Sequence, residues 1–339
     1  MSSRLFGVGI AGATLLPEER DILERNPPRA VILFRRNVES AGQIRDLTEE
    51  IHRLPGSPLL CLDQEGGPVD RLRDILSPSI SFRDAARLGV ARLAGELQGE
   101  ACALLGFDVD LAPVLDRLLP GASERVLKDR CASADPDEIA SAAADFLRGL
   151  AARGVGGCVK HFPGLGRADL DTHKDLPVIP NDPAEEQRDL APFRATMEEA
   201  GAVMISHAAT TQGRPASLSP EIATDLLRRT LGFTGAVFSD DLEMGALSAF
   251  GDLPERCAQA CLAGCDLLFV CSRIGVYSDC VAAVEQEVPR ERREQAAARL
   301  DSYGHHLRDL RSAAKFAERP LSALVADITD LKSRASNAG

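Results

Sequence analysis

The 339-residue sequence predicts an α/β protein: a closed (β/α)8 TIM barrel forming one domain over residues 1–335, with a barrel core at about 4–275 and C-terminal helices at 276–335. Three observations predict it. Short apolar runs alternate with longer amphipathic stretches, which is the pattern of repeated strand–helix units. The runs number eight, the count that closes a barrel. No low-complexity linker or repeat period divides the chain. The strands are expected at residues 5–10, 30–34, 58–62, 107–111, 156–160, 202–206, 236–239 and 266–271. Helices are expected at 40–54, 137–153, 183–199 and 254–263. From residue 279 to 318 the pattern is purely helical and charged, suited to closing the barrel floor or to dimerisation, and a frayed tail is expected after Ala335.

Composition narrows the ligand. The chain carries 51 acidic and 39 basic side chains, for a net charge of −12, which argues against general nucleic-acid or anionic-membrane binding. It has no Trp, two Tyr and twelve Phe, too few aromatic faces for a long polysaccharide groove or a single-strand stacking platform. A small ligand is expected. The N-terminus lacks the pattern of a secretory signal, and no apolar run is long enough to span a bilayer. Nine cysteines form no disulfide-like framework, so a reducing cytoplasm fits best. Cys257, Cys261 and Cys265 recur every fourth residue. No His or carboxylate completes a zinc pattern there, and they read as small residues packing a helix.

Polar residues fall at the ends of four predicted strands: Asp63 after PLLCL, Lys160 and His161 after GGCV, His207 after AVMIS, and Asp240 after AVFS. In a barrel these ends share the C-terminal mouth, where chemistry is built. Asp63 and Arg71 lie eight apart across a Gly66-Gly67 turn, suited to clamping neighbouring hydroxyls. Arg130 follows a loop and precedes a helix that Asp135-Pro136 would start. In KHFPGLGRADLDTHKDLP, Asp171 and His173 are two apart. The carboxylate can hold one imidazole nitrogen and leave the other to carry a proton, or the histidine simply caps a turn. Asp240 and Asp241 could bind metal, cap a helix or supply a nucleophile. Asp241 is read as the cap of a helix beginning near Leu242, which leaves Asp240 facing the mouth. Gly7-Val8-Gly9-Ile10-Ala11-Gly12 matches GxGxxG, but its glycines overlap the first strand and no helix opens within it, so a dinucleotide site is discounted. His305 and His306 read as solvated helix residues.

Taken together the motifs resemble those of the glycoside hydrolase family 3 β-N-acetylhexosaminidases, the short bacterial enzymes of peptidoglycan recycling. The resemblance runs in order from about Gly7 to Val270 through AVILFRRN, LDQEGGPVDRLR, FDVDLAPVLD, DRCASADP, KHFPGLG with DTH, DLAPFR, VMISH, PASLS, LLRRTLGF and SDDLEM. It implies a retaining exo-enzyme that removes a terminal β-linked N-acetylglucosamine from muropeptides or chitooligosaccharides. In that scheme Asp240 is the nucleophile, His173 the acid/base and Asp171 its partner. Asp63, Arg71, Arg130, Lys160 and His161 match positions that hold the sugar, and His207 is counted with them from its strand-end place. No metal or organic cofactor is implied, and the chain is expected as a monomer or homodimer. Leu165 stands where the family loop has a second His, and Arg167-Ala168 where it has Asp-Thr; the Asp-x-His spacing is retained. Pro68 replaces a common Arg. The competing readings are a phosphorylase of the same fold, a metal-dependent barrel hydrolase using His161, His173, His207 and Asp240, and a non-catalytic sugar-binding barrel.

Overall fold

In the computed structural model, which describes residues 2–120, 127–168, 176–209, 213–314 and 319–337, eight staves form one parallel sheet closed on itself. They are β1 (Phe6–Gly9), β2 (Ala30–Leu33), β3 (Leu59–Leu62), β4 (Val109–Asp110), β5 in two pieces (Gly156–Gly157 and Val159–Phe162), β6 (Ala202–Ile205), β7 (Ala236–Asp241) and β8 (Leu267–Val270). Each pairs with its neighbours in sequence, and β1 pairs with β8. The first piece of β5 pairs with β4 and the second with β6, which completes the ring. The strands are buried on both faces, so they read as continuous apolar runs rather than as alternation. All eight predicted runs carry a stave, trimmed or extended by a residue or two at the ends.

The helices between staves start where the sequence supplies caps. They are α1 (Pro17–Arg25), α2 (Ala41–His52), α3 (Phe82–Arg87), α4 (Ala91–Leu104), α5 (Pro136–Ala152), α6 (Pro183–Ala200) and α7 (Leu253–Ala263), with a π-helical segment at Glu221–Thr230 between β6 and β7. Asp135 caps α5 through the Asp137 and Glu138 amides, and Pro136 follows at its first turn, as the sequence indicates. Ser40 caps α2 and Asp182 caps α6 in the same way. Gly7 and Gly9 lie inside β1. A Cβ at Gly7 would collide with the Phe269 ring, and one at Gly9 with the Cys271 carbonyl, so these glycines serve the close approach of β1 to β8.

The C-terminal region is helical, as the sequence predicts. It forms three helices, α8 (Tyr277–Glu287), α9 (Arg290–Ala313) and α10 (Leu321–Asn337). The break between the first two falls at Val288-Pro289, because Pro has no amide to continue the ladder. Tyr303 of α9 reaches the barrel floor, donating its hydroxyl to the Gly157 carbonyl at 3.2 Å and packing edge-on to Phe238. Asp266, fully buried at the start of β8, gathers Arg228, Arg292 and Arg299 beneath the barrel. Rather than fraying from Ala335, the last helix runs to Asn337, and it buries Leu324, Ile328, Leu331 and Ala335. Cys257 and Cys261 are buried on α7 and Cys265 in the turn after it, all as free thiols. Among the described residues no helix is long and apolar enough to cross a membrane.

Candidate active site

Two stave ends at the C-terminal mouth are bulged. On β5 the pairing moves from Val159–Val203 to Phe162–Ile205, so three steps on β5 match two on β6. On β7 it moves from Phe238–Leu267 to Asp241–Phe269, again three steps against two. A bulge re-aims the side chains beside it, and barrel rims near active sites are where bulges concentrate. These two lie at Lys160-His161 and at Ser239-Asp240.

After β3 the chain turns back in a small hairpin, Gln64–Gly66 against Val69–Asp70. Gly66 and Gly67 both have positive φ, 81° and 57°, which only glycine adopts freely. Gln64 pins the hairpin: its amide nitrogen donates to Asp70 at 2.8 Å and its oxygen accepts from the Arg71 amide at 2.9 Å. The turn brings the Arg71 guanidinium to 3.3 Å from Asp63. The turn thus sets these two side chains next to each other.

A chain of alternating charges crosses the mouth. Asp63 joins Arg71 to Lys160, whose ammonium lies 2.7 Å from Asp63 and 2.6 Å from Glu65. Glu65 in turn takes both arms of the Arg130 fork, at 2.7 and 2.9 Å. Arg130 donates to His161 Nε2 at 3.3 Å, and His161 Nδ1 lies 2.6 Å from Asp116. Lys160 and Glu65 are each only 2 % exposed, so neither charge would be tolerable without the other. Burial would raise the Glu65 pKa, but Arg130 and Lys160 hold it down at about 2. Burial likewise opposes charge on Asp63, yet Lys160 and Arg71 keep it well below the usual carboxylate range. The same two carboxylates push the Lys160 ammonium above its ordinary value against the effect of burial. Beneath the network sits Asp110, fully buried, with one oxygen accepting from the Gln64 backbone amide and the other without a partner among the described residues. Burial, followed by the nearby Asp63 and Glu65 charges, drives its pKa well up.

Asp240 faces this network. Burial disfavours its charge, but His207, His161, the Asp241 amide and Lys160 together hold its pKa below the ordinary value. The Asp241 amide donates to Oδ1 at 2.8 Å. His207 sits behind this stave end, with Nδ1 2.7 Å from the Ser217 hydroxyl and Nε2 2.8 Å from the Asp241 carbonyl. A carbonyl only accepts, so Nε2 carries the proton and Nδ1 accepts from Ser217. Burial lowers the His207 pKa and keeps the ring neutral. With both nitrogens engaged within the protein, His207 braces the β7 end. Both ring nitrogens of His161 are likewise taken, which leaves neither imidazole a lone pair for a metal ion.

Asp241 does not cap a helix at Leu242, as the sequence suggests. It closes β7 and accepts from the Glu243 amide at 3.1 Å, forming a turn. The next helix, α7, begins eleven residues later, at Leu253, where Asp252 and Glu255 form a reciprocal capping box. Burial, with Glu243 and Asp240 nearby, raises the Asp241 pKa to about 7. The folded state thus binds a proton that an unfolded Asp would release near pH 4, so stability is present at low pH and is lost as pH rises through 7. Asp241→Asn should therefore gain melting temperature relative to the parent protein between pH 5 and pH 8. Parallel melting curves across that range would contradict the assignment.

The loop after β5 is anchored at its base. Leu165, the residue that departs from the family pattern, is buried with Val114, Leu127, Cys131, Ala168, Ile179 and Ala208 in a second small apolar cluster. Arg167 bonds Asp189 at 2.6 Å and the Pro180 carbonyl at 2.6 Å, and Arg117 holds the other Asp189 oxygen at 3.2 Å. The three loop departures thus serve as anchors, Leu165 and Ala168 apolar and Arg167 ionic. The predicted pair Asp171 and His173 lies outside the described residues. The structure brings Asp63, Arg71, Arg130, Lys160, His161 and Asp240 to one mouth, and adds Glu65, Asp110 and Asp116, which sequence reading did not single out. Glu65 and Asp116 were visible only as members of the LDQEGG and LAPVLD stretches.

A closed barrel with a charged mouth and an ionised aspartate on a bulged stave end has the parts that glycoside chemistry requires. The family model described as "Glycosyl hydrolase family 3 N terminal domain" matches residues 11–302. A β-hexosaminidase of Stenotrophomonas maltophilia (strain R551-3) is 37% identical over 278 residues, covering 78% of this chain and 82% of the relative. One of Thiobacillus denitrificans is 36% identical over 332 residues, covering 91% and 90%. Among solved structures, NagZ of Neisseria gonorrhoeae in complex with N-trifluoroacetyl-D-glucosamine superposes with a TM-score of 0.83 at 28% identity, covering 97% of this chain and 98% of that one. A family 3 β-N-acetylglucosaminidase of Paenibacillus sp. gives 0.86 at 28% identity, covering 98% and 68%. The chain belongs to glycosyl hydrolase family 3 and is a β-hexosaminidase of that family.

Proposed function

We propose that the protein is a retaining exo-β-N-acetylglucosaminidase acting on a terminal β-linked N-acetylglucosamine, with peptidoglycan-derived muropeptides as the natural substrate class. The observation that carries the reading is Asp240: an ionised carboxylate on a bulged stave end, within electrostatic reach of the Lys160 and His161 side chains. Its Oδ1 is held by the Asp241 amide, which leaves Oδ2 to attack the anomeric carbon. As the C–O bond to the aglycone breaks, His173, oriented by Asp171, gives its proton to the leaving oxygen. The same imidazole then takes a proton from the water that releases the sugar from Asp240. A neutral imidazole in this role adds no second negative charge beside the nucleophile, unlike a paired carboxylate.

The sugar hydroxyls are assigned to Asp63, Arg71, Arg130 and Lys160; His161, with both ring nitrogens engaged, holds Arg130 in place, and His207 keeps the β7 end in place. No cofactor is assigned. The absence of Trp and the charged lining support a pocket that grips one residue by hydrogen bonds rather than by stacking. The packing of α9 and α10 against the barrel supports one functional unit over residues 1–335, and nine unpaired thiols support a reducing compartment. The test is product analysis on an aryl N-acetyl-β-glucosaminide with and without phosphate. Free N-acetylglucosamine under both conditions is expected; sugar 1-phosphate would make the protein a phosphorylase instead.

A further inference from the structure

Asp116 is a carboxylate with no solvent exposure, and both of its oxygens are engaged. It follows the two-residue stave β4, where the chain continues beside β5: Val114 bridges to Lys160, and the Leu115 amide donates to the Lys160 carbonyl at 2.6 Å. Oδ2 lies 2.6 Å from His161 Nδ1, and Oδ1 accepts from the Leu165 amide at 2.6 Å. One buried group therefore touches both the imidazole that meets Arg130 and the base of the loop that leads to His173.

We infer that Asp116 is a positioning residue for the hydrolytic site: it fixes the His161 proton on Nδ1 and thereby sets the Arg130 fork that faces the sugar. This inference rests on the proposed reading of the mouth as the sugar site. A guanidinium only donates, so at 3.3 Å from Arg130 the His161 Nε2 must accept. The ring proton is then on Nδ1, facing the carboxyl oxygen that Asp116 supplies. Arg130 is held from its other side by Glu65, so its plane is set by one carboxylate directly and by a second through an imidazole.

An Asn at this position has one acceptor and one donor where the carboxylate has two acceptors. The Leu165 backbone amide can only donate, so the Asn oxygen goes to Leu165 and its NH2 turns to His161. The imidazole must then accept at Nδ1 and carry its proton on Nε2, directly against the Arg130 N–H. The contact is lost while the loop base stays anchored. Removing an outer-shell carboxylate that orients an imidazole typically lowers affinity or activity by about 10–100-fold.

The experiment has two arms. Long-range 1H–15N NMR of the intact protein reads the His161 tautomer, with its signals assigned by their loss in His161→Gln. The Nδ1–H form is expected in the parent protein and the Nε2–H form in Asp116→Asn. Kinetics on an aryl N-acetyl-β-glucosaminide should show kcat/KM of Asp116→Asn reduced by about 10–100-fold, carried mostly by KM. In the His161→Gln background the same substitution should change kcat/KM by less than about 2-fold, because the imidazole it acts through is gone. An Nε2–H tautomer in the parent protein, or an equal loss in both backgrounds, overturns the proposal. The parent-protein tautomer decides the question even if the Asn variant fails to fold. Unchanged turnover in Asp240→Ala would instead indict the reading of the site and leave the tautomer result standing.

Discussion

Replacing Asp240 with Ala is expected to abolish turnover of an aryl N-acetyl-β-glucosaminide, with kcat falling by about 10^4- to 10^6-fold, the scale seen when a covalent nucleophile is removed. The fold should not suffer. Among the described residues the Asp240 side chain accepts a single hydrogen bond, from the amide of the next residue, and its charge is half-buried among groups already satisfied elsewhere. Denaturant unfolding should therefore show a cooperative transition with at most a modest loss of stability, because the site favours the Asp240 charge. This pairing of lost chemistry with retained stability is expected of a charge placed for catalysis. A small exogenous anion such as azide fits the space vacated by the carboxylate and should restore part of the turnover from that same face.

The second large effect is on stability as well as activity. Lys160→Met removes the one ammonium shared by Asp63 and Glu65 and leaves Glu65 buried with Arg130 alone. Breaking a buried pair by deleting one partner costs about 3–5 kcal/mol, because the remaining charge has been desolvated without compensation. A shift of that size in the urea midpoint, with the slope unchanged, is expected. Turnover should drop by at least about 10^2-fold, since both Asp63 and the Glu65-held Arg130 lose their register. Lys160→Met with parent-like stability would mean that the network is not coupled as the distances indicate.

Much of this architecture was legible in the sequence, and the reasons are specific. The staves are buried on both faces, so each is an uninterrupted apolar run, and the polar residue ending it marks the mouth. The helix starts were legible because Asp135-Pro136 and Asp182-Pro183 cap and begin helices by local chemistry alone. The bulges at Lys160-His161 and Ser239-Asp240 were not, because register arises from pairing with a distant stave. Glu65 escaped notice for a related reason. In sequence it is an ordinary charge in a glycine turn, and only the fold buries it between Lys160 and Arg130. Asp116 lies six residues past a two-residue stave and reads as a loop acid until β5 is set beside it. Asp241 was misread because an acid followed by LEMGAL looks like a cap and a helix, whereas the stronger signal, Asp252-Leu-Pro-Glu, lay eleven residues on. His207 occupies the expected stave end, but Ser217 and the Asp241 carbonyl take its nitrogens, and sequence position says nothing of ring orientation.

In the proposed mechanism Asp240 forms the covalent bond to the sugar. A fluorinated N-acetylglucosamine analogue with a good leaving group slows breakdown of the glycosyl-enzyme more than its formation, so the intermediate accumulates. Intact mass spectrometry followed by peptide mapping then reads where the sugar sits. One sugar per chain, on the peptide containing Asp240 and absent in Asp240→Ala, is the predicted result. A label on any other residue would contradict the account, as would turnover of the analogue with inversion and no adduct.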